Sequence, residues 1–416
     1  MDLKYIRENP DEVRRLLELR RCPAGIDSIL ALDAERRALA QERDGLRHEQ
    51  KGISQAVAEA KRSGGDADAV MARARELSER VKAADAELAS TEERLEELAR
   101  HLPNVVHPSM TAEEEVIAEW GELPQFGFEP LAHWDLAEAL DVVDFKAAAA
   151  LSGSRFVVFR GAGARLERAL INWFLDTHVR KNGYTELSMP VLARSQCLEG
   201  AGQLPHMAGE VYVMRDDELC LVPTSETTLA NLHREQVLDA ATLPRKYVTY
   251  SPCFRREAGS YGKDVRGMIR VHQFDKVELF RLTAPEQSYQ ALEEMLAEAT
   301  ALARELGLPY RVKRLAAWDI AYQAAKTYDI EAWSAGGKRW LEVSSVSNCE
   351  DYQTRRTDTR ARGADGRLFH PHALNGSALA LPRVFVAIIE NFQQADGSVR
   401  IPEVLRPYLD GLERIS

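Results

Sequence analysis

The sequence predicts an α+β protein in two parts: an N-terminal antiparallel helical coiled-coil arm, residues 1–103, and a larger domain, residues 131–416, with a mainly antiparallel β-sheet flanked by helices. Three observations carry that expectation. From Leu77 to Leu102, apolar or small residues recur in alternating steps of four and three (Leu77, Val81, Ala84, Leu88, Thr91, Leu95, Leu98, Leu102), the spacing of a coiled-coil seam. Upstream, Leu32, Leu39, Leu46 and Ile53 repeat every seven residues, and RSGGDAD, Arg62 to Asp68, interrupts the two runs with a turn no helix carries through. Beyond residue 131 the texture changes to strand-like stretches whose connections are mostly too short for parallel crossovers.

In chain order, the two arm helices are each about 50 Å long at 1.5 Å per residue and should project from the body. Arg36, Arg43 and Gln50 are polar companions that weaken the first helix's seam. Over residues 27–102 there are 17 Asp or Glu against 13 Lys or Arg, so composition alone does not mark the arm as a nucleic-acid binder. The cations of its distal half, Arg47, Lys51, Lys61, Arg62, Arg73 and Arg75, are its candidates for phosphate contacts, with dimerisation or protein docking as the other readings. Pro103, Pro108, Pro124 and Pro130 punctuate 104–130, which reads as a linker. A helix follows over Arg165 to Val179, stopped at Lys181-Asn182-Gly183. Strands are expected at Leu219–Val222, Lys246–Glu257, Met268–Leu282 and Arg339–Ser347, and helices at Pro285–Leu306 and Pro382–Phe392.

The 416 residues, 45% of them hydrophobic, suffice for one large core and a second element. The charged first twenty residues and the lack of any run of eighteen apolar residues suggest neither a secretory address nor a membrane span, and point to the cytoplasm. Five scattered cysteines form neither a disulfide framework nor a zinc motif. The net charge of −11 opposes unselective binding to polyanions, so any such partner must be met by local basic clusters.

One cluster stands out: Arg255, Arg256, Lys263, Arg266 and Arg270 fall within sixteen residues. In the following stretch, RGMIRVHQFDKVELF, strand alternation puts Arg270, His272, Phe274, Lys276, Glu278 and Phe280 on one face and Ile269, Val271, Val277 and Leu279 on the other. A cation, an aromatic ring and a carboxylate at four-residue intervals, roughly 13 Å apart at 3.3 Å per residue, suit a ligand carrying a phosphate, a flat ring and an amine or hydroxyl. Arg255 and Glu257 share parity at the preceding strand end, where a guanidinium forks onto phosphate and a carboxylate accepts from an amine.

FRREAG and GKDVRGMIRVHQFDKVE resemble motif 2 of class II aminoacyl-tRNA synthetases, in the form seen in seryl-tRNA synthetases of the bacterial type. PTSE (223–226), GAGQLPHM (200–207), AAKTYDIEAW (324–333), EVSSVSNCEDYQTRR (342–356) and LNGSALALPR (374–383) extend the likeness over essentially the whole chain, the hairpin resembling that family's tRNA-binding arm. The resemblance implies a class II catalytic domain and a serine–tRNA ligase using ATP, L-serine and Mg²⁺ on tRNA(Ser), with tRNA(Sec) a further candidate acceptor, in a homodimer. It also implies the roles of residues. Arg255 would bind the α-phosphate, Glu257 the adenine amine and Arg383 the γ-phosphate, with Phe274 stacked on adenine. Arg256, Arg270, Val271, Val343 and Ser344 would complete the ATP-binding set, and Glu342 and Ser345 would hold Mg²⁺. Thr224, Ser225, Glu226, Glu278 and Ser377 would surround serine; Arg255, Arg383 and Glu342 would be the catalytic residues.

Glu342 and Ser345 fall on opposite faces of an ideal strand, so a bulge or a strand end is needed if both touch the metal. No protein nucleophile is needed, and Cys253 has no evident activating histidine. The chain departs from the family pattern at Thr-Ser-Glu, Phe-Arg-Arg-Glu, Ala378, Pro382 and Trp318-Asp319-Ile320-Ala321, the last replacing a Gly-Asp-x-Gly element. These departures leave room for a divergent paralogue, inhibitor-tolerant or supplying seryl groups to a biosynthetic pathway. A homologue that aminoacylates something other than tRNA would be expected to lack the arm.

Overall fold

The computed structural model describes residues 3–22, 25–63, 68–258 and 266–416, apart from the side chains at 58–61 and 63, and divides into two compact units at Pro103/Asn104. The first unit holds α1 (Leu3–Glu8), α2 (Pro10–Leu19), α3 (Ile26–Ser63) and α4 (Asp68–Arg100). The seam folds as its spacing requires: Leu77, Val81, Ala84, Leu88, Thr91 and Leu95 of α4 are buried, with Leu32 and Leu46 of α3. Leu98 departs from it, at 39% exposure. Arg36, Arg43 and Gln50 are half-buried, and Arg36 pairs with the buried Asp33 at 2.9 Å. Residues 64–67, within the expected turn, lie outside the described set.

The second unit is built on eight strands: β1 (Glu115–Trp120), β2 (Thr185–Leu187), β3 (Arg245–Phe254), β4 (Gln273–Thr283), β5 (Tyr310–Arg314), β6 (Lys326–Ser334), β7 (Arg339–Asn348) and β8 (His372–Ala380). They lie in the order β1-β5-β6-β7-β8-β4-β3-β2, antiparallel throughout except for β2 beside β3. Three helices, α5 (Gly161–Asn182), α6 (Ser288–Glu305) and α7 (Leu381–Asn391), supply Leu166, Leu170, Phe174, Leu292, Met295, Val384, Phe385 and Ile388 to one core with Val248, Val277, Leu279, Ile330, Val343 and Val346 of the sheet. Gly183 ends α5 in the left-handed conformation, φ 70°, as the helix-stop reading expects, and Pro382 occupies the first turn of α7.

Two expectations change. Residues 104–130 do not form a mere linker: β1 lies within them as a sheet edge paired with β5, and its residues are exposed except for Trp120, so it carries no burial alternation to read. The strand expected from Met268 begins only at Gln273, and that expected to reach Glu257 ends at Phe254. Residues 266–270 are bends, and Glu257 takes a left-handed φ of 51°.

A bipolar candidate active site

The sheet face opposite the core helices bears a cavity of about 380 Å³. Parity within β4 delivers Phe274, Lys276 and Glu278 to its wall, while Val277 and Leu279 enter the core, as hydrophobic patterning requires. Arg255, Glu257, Ile269, Arg270 and Val271 also line it, but through irregular backbone at the ends of β3 and β4. Parity does not hold there: Val271, assigned to the opposite face, lines the cavity, and His272 does not line it. His272 instead bonds through Nδ1 to the Arg255 carbonyl at 3.0 Å and lies 5.3 Å from the Phe156 ring.

One end of the cavity is rich in cations. The Arg255 guanidinium lies 5.2 Å from the Phe274 ring centroid and donates from Nε to the Pro223 carbonyl at 3.2 Å. Arg270 pairs with Glu257 at 2.7 Å. Arg383, fixed in the first turn of α7, donates to the Glu342 carbonyl at 2.7 Å and lies 3.3 Å from its carboxylate. Arg256 is not among the lining residues; its backbone bonds to Glu210. Arg266 points elsewhere, paired with Asp135 at 3.0 Å and 5.0 Å from the Trp134 ring centroid. Lys263 lies outside the described residues.

Of the two devices that would bring Glu342 and Ser345 to one site, the structure has the bulge. In the β7–β6 ladder Glu342 faces Glu331 and Ser344 faces Ile330, so Val343 is the extra residue. It turns into the core, and both Glu342 and Ser345 reach the cavity. Ser344 does not line it; its hydroxyl donates to the Ser377 carbonyl at 2.6 Å. Opposite Ser345 stands Asp329, whose Oδ1 is buried without a hydrogen-bond partner and whose carboxyl is pushed up to about 8 by burial and by the neighbouring charge of Glu342. A buried carboxyl oxygen without a partner beside two further oxygen donors fits a hard divalent cation, whose charge would favour the ionised carboxylate. Among the described residues no group of three or more His, Cys, Asp or Glu forms a metal cage, so such an ion would draw further ligands from phosphate oxygens and water.

The other end is acidic and amide-rich. Thr224 donates to Glu278 at 3.0 Å and accepts from Lys276 at 2.6 Å, while Lys276 also contacts the Glu278 carboxylate; all three are buried. Ser377 faces Glu278 across the β8–β4 ladder and lines the cavity. Glu226 Oε1 accepts from Gln353 at 2.7 Å, Asn375 at 2.9 Å and Gln323 at 3.1 Å. Burial and the Glu278 charge push the Glu226 carboxyl up to about 7 against the opposing effect of Lys276. Ser225 bonds to Ser251 and is not a lining residue. Cys253 is fully buried, and burial raises its thiol, so it is not poised as a nucleophile.

Lining residues absent from the sequence-derived set include Gln203, Lys276, Gln323 and Asn375. Strand parity already placed Lys276 on the right face; the amides come from separate segments without a shared pattern.

In the first unit, Arg47 is held by Asp85 of the facing helix at 3.0 Å. Lys51, Arg62, Arg73 and Arg75 are exposed, and the Lys61 side chain lies outside the described set. Among the described residues no helix is long and apolar enough to cross a membrane.

Residues 1–106 match the family described as the seryl-tRNA synthetase N-terminal domain, and residues 211–392 the tRNA synthetase class II core domain (G, H, P, S and T). The chain is 44% identical to a serine–tRNA ligase of Syntrophomonas wolfei over 100% of its own length and 99% of that protein. It is 46% identical to one of Kosmotoga olearia over 98% of each. The crystal structure of seryl-tRNA synthetase from Pyrococcus horikoshii complexed with ATP superposes with a TM-score of 0.94 at 37% identity, covering 100% of this chain and 99% of that one. With both halves matched and full-length relatives well above 40% identity, the chain belongs to the seryl-tRNA synthetase family.

Proposed function

We propose that the cavity joins L-serine to ATP and that the chain transfers the activated seryl group to tRNA(Ser). The supporting observation is the make-up of its wall: Arg255, stacked near Phe274, joins Arg270 and Arg383, while Thr224, Lys276 and Glu278 form a buried cluster and Glu226 lies beside Glu278. Three cations and a ring suit a nucleotide triphosphate, while two carboxylates partly offset by Lys276 suit an ammonium group. Between them the serine carboxylate attacks the α-phosphorus in line, pyrophosphate leaves, and the terminal ribose hydroxyl of tRNA then displaces AMP from the mixed anhydride. Catalysis consists of positioning and charge stabilisation, with Arg255 at the α-phosphate and Arg383 at the γ-phosphate.

Phe274 and Glu257 hold the adenine, and Thr224, Glu226, Glu278 and Ser377 hold serine. Glu342 and Ser345 would hold Mg²⁺, which would supply charge neutralisation. Discrimination against alanine rests on polar groups left unpaired without the serine hydroxyl. Exposed Lys51, Arg62, Arg73 and Arg75 support a tRNA-binding role for the arm, with Arg47 exchanging Asp85 for phosphate. Assembly as a homodimer and a cytoplasmic location belong to the same proposal, with family membership as their support.

ATP–pyrophosphate exchange by the purified chain, run against serine, threonine, alanine, glycine and cysteine, tests the activation step. Exchange dependent on serine is expected; exchange with another amino acid and none with serine would replace the substrate assignment.

A further inference from the structure

Glu226 opens the short helix Glu226–Leu229, and its Oε1 is the meeting point of three amide nitrogens 97, 127 and 149 residues away in sequence. Three donors on one oxygen saturate it and fix a terminal torsion that is otherwise broad for glutamate. Among the described residues no hydrogen bond reaches Oε2, so that oxygen is left for whatever occupies the cavity. Donors on a carboxylate favour its ionised form, which here opposes burial and the charge of Glu278. The charged groups facing Glu226 are Glu278 and Lys276, both from β4; the other segments against it present amides.

Gln323 differs from the other two donors in its anchorage. It belongs to the 316–323 segment, held from outside the cavity: Asn104 donates from its backbone to the Tyr322 carbonyl at 2.7 Å and from its side chain to the Gln323 carbonyl at 2.9 Å. Tyr322 also stacks on His206, with ring centroids 3.4 Å apart. Gln203 and Met207, flanking His206, and Ala321 and Gln323, flanking Tyr322, all line the cavity. The stack thus fastens two cavity walls together and sets where the Gln323 amide points.

We propose that Gln323, Gln353 and Asn375 act as positioning residues, forming an amide clamp that holds Glu226 ionised with Oε2 presented to the substrate ammonium, and that Gln323 carries the influence of the 316–323 segment on amino-acid affinity. The inference rests on the proposed reading that this cavity activates serine. It requires an effect confined to the ammonium-bearing substrate.

Gln323→Met keeps the side-chain length and removes the donor. Expected in ATP–pyrophosphate exchange is a rise in KM for serine on the order of 10-fold, KM for ATP within twofold of wild type, and an acid limb of kcat/KM for serine displaced to higher pH. Inhibition by L-serinamide, which has the ammonium, should weaken in parallel; inhibition by glycerate, which lacks it, should not. Unchanged KM for serine, or equal weakening towards serine, ATP and glycerate, would overturn the clamp while wild-type exchange with serine left the functional reading intact. No serine-dependent exchange by the wild type would remove both.

Discussion

Replacing Glu226 by glutamine should make the catalytic unit more stable and weaken its hold on serine. Burial and the Glu278 charge raise this carboxyl from 4.5 to about 7. At about 1.4 kcal/mol per tenfold change, holding the charged form in the fold costs about 3 kcal/mol relative to the unfolded chain. The sign follows from the direction: a carboxyl raised on folding destabilises the fold fully above about pH 7, and that penalty is relieved as pH falls through about 7 towards 4.5. Glutamine keeps an oxygen for the three amides and removes the charge. At pH 8 the variant should therefore unfold at higher urea concentration, by up to about 3 kcal/mol, and the advantage should shrink to nothing near pH 4.5. All six tryptophans lie beyond residue 103, so fluorescence reports on the unit that carries the site. Serine affinity should fall on the order of 10- to 100-fold through loss of a charged hydrogen-bond acceptor. A variant less stable than wild type at pH 8, or a difference that does not narrow on acidification, would refute the electrostatic reasoning.

A Cβ on Gly163 would sit 2.2 Å from the Val142 carbonyl oxygen, a backbone atom that cannot swing aside; Gly163→Ala should cost about 3 kcal/mol by overpacking, read from the urea midpoint. Arg255→Lys loses the planar fork and the Phe274 contact, and the rate of ATP–pyrophosphate exchange should fall on the order of 100-fold with thermal stability unchanged. Leu88→Ala removes a buried seam residue from α4 and should destabilise the arm by about 2–3 kcal/mol. Hydrogen exchange should locate that loss in α3 and α4, with pyrophosphate exchange unaffected and tRNA charging reduced. Chelation by EDTA should abolish pyrophosphate exchange, and added Mg²⁺ should restore it.

What was legible in the sequence was whatever repeats at a fixed period or obeys a local rule. The seam from Leu77 to Leu95 shows in spacing because burial in a two-helix contact selects every third or fourth position. Phe274, Lys276 and Glu278 show because β4 is regular there, and opposite parity at Glu342 and Ser345 called for a break in the strand, which the bulge at Val343 supplies. The same parity rule failed at Val271 and His272, where the backbone leaves the strand. β1 escaped notice because an exposed edge strand buries neither face regularly. Gln323, Gln353 and Asn375 meet at Glu226 only through the tertiary fold, and no local period records a contact between residues more than ninety positions apart. Arg256, Val343, Ser344 and Ser225 lie beside the lining residues in sequence but do not join the wall: Val343 is the bulge residue and enters the core, and Ser344 and Ser225 turn to partners in Ser377 and Ser251.

Charging of a tRNA(Ser) transcript with labelled serine tests at once whether one chain both activates serine and delivers it to tRNA. Serine should appear on the transcript's 3′ end, dependent on ATP and Mg²⁺ and lost when a different tRNA is supplied. Pyrophosphate exchange with serine but no charged tRNA(Ser) would contradict it, leaving an activating enzyme whose acceptor is another molecule.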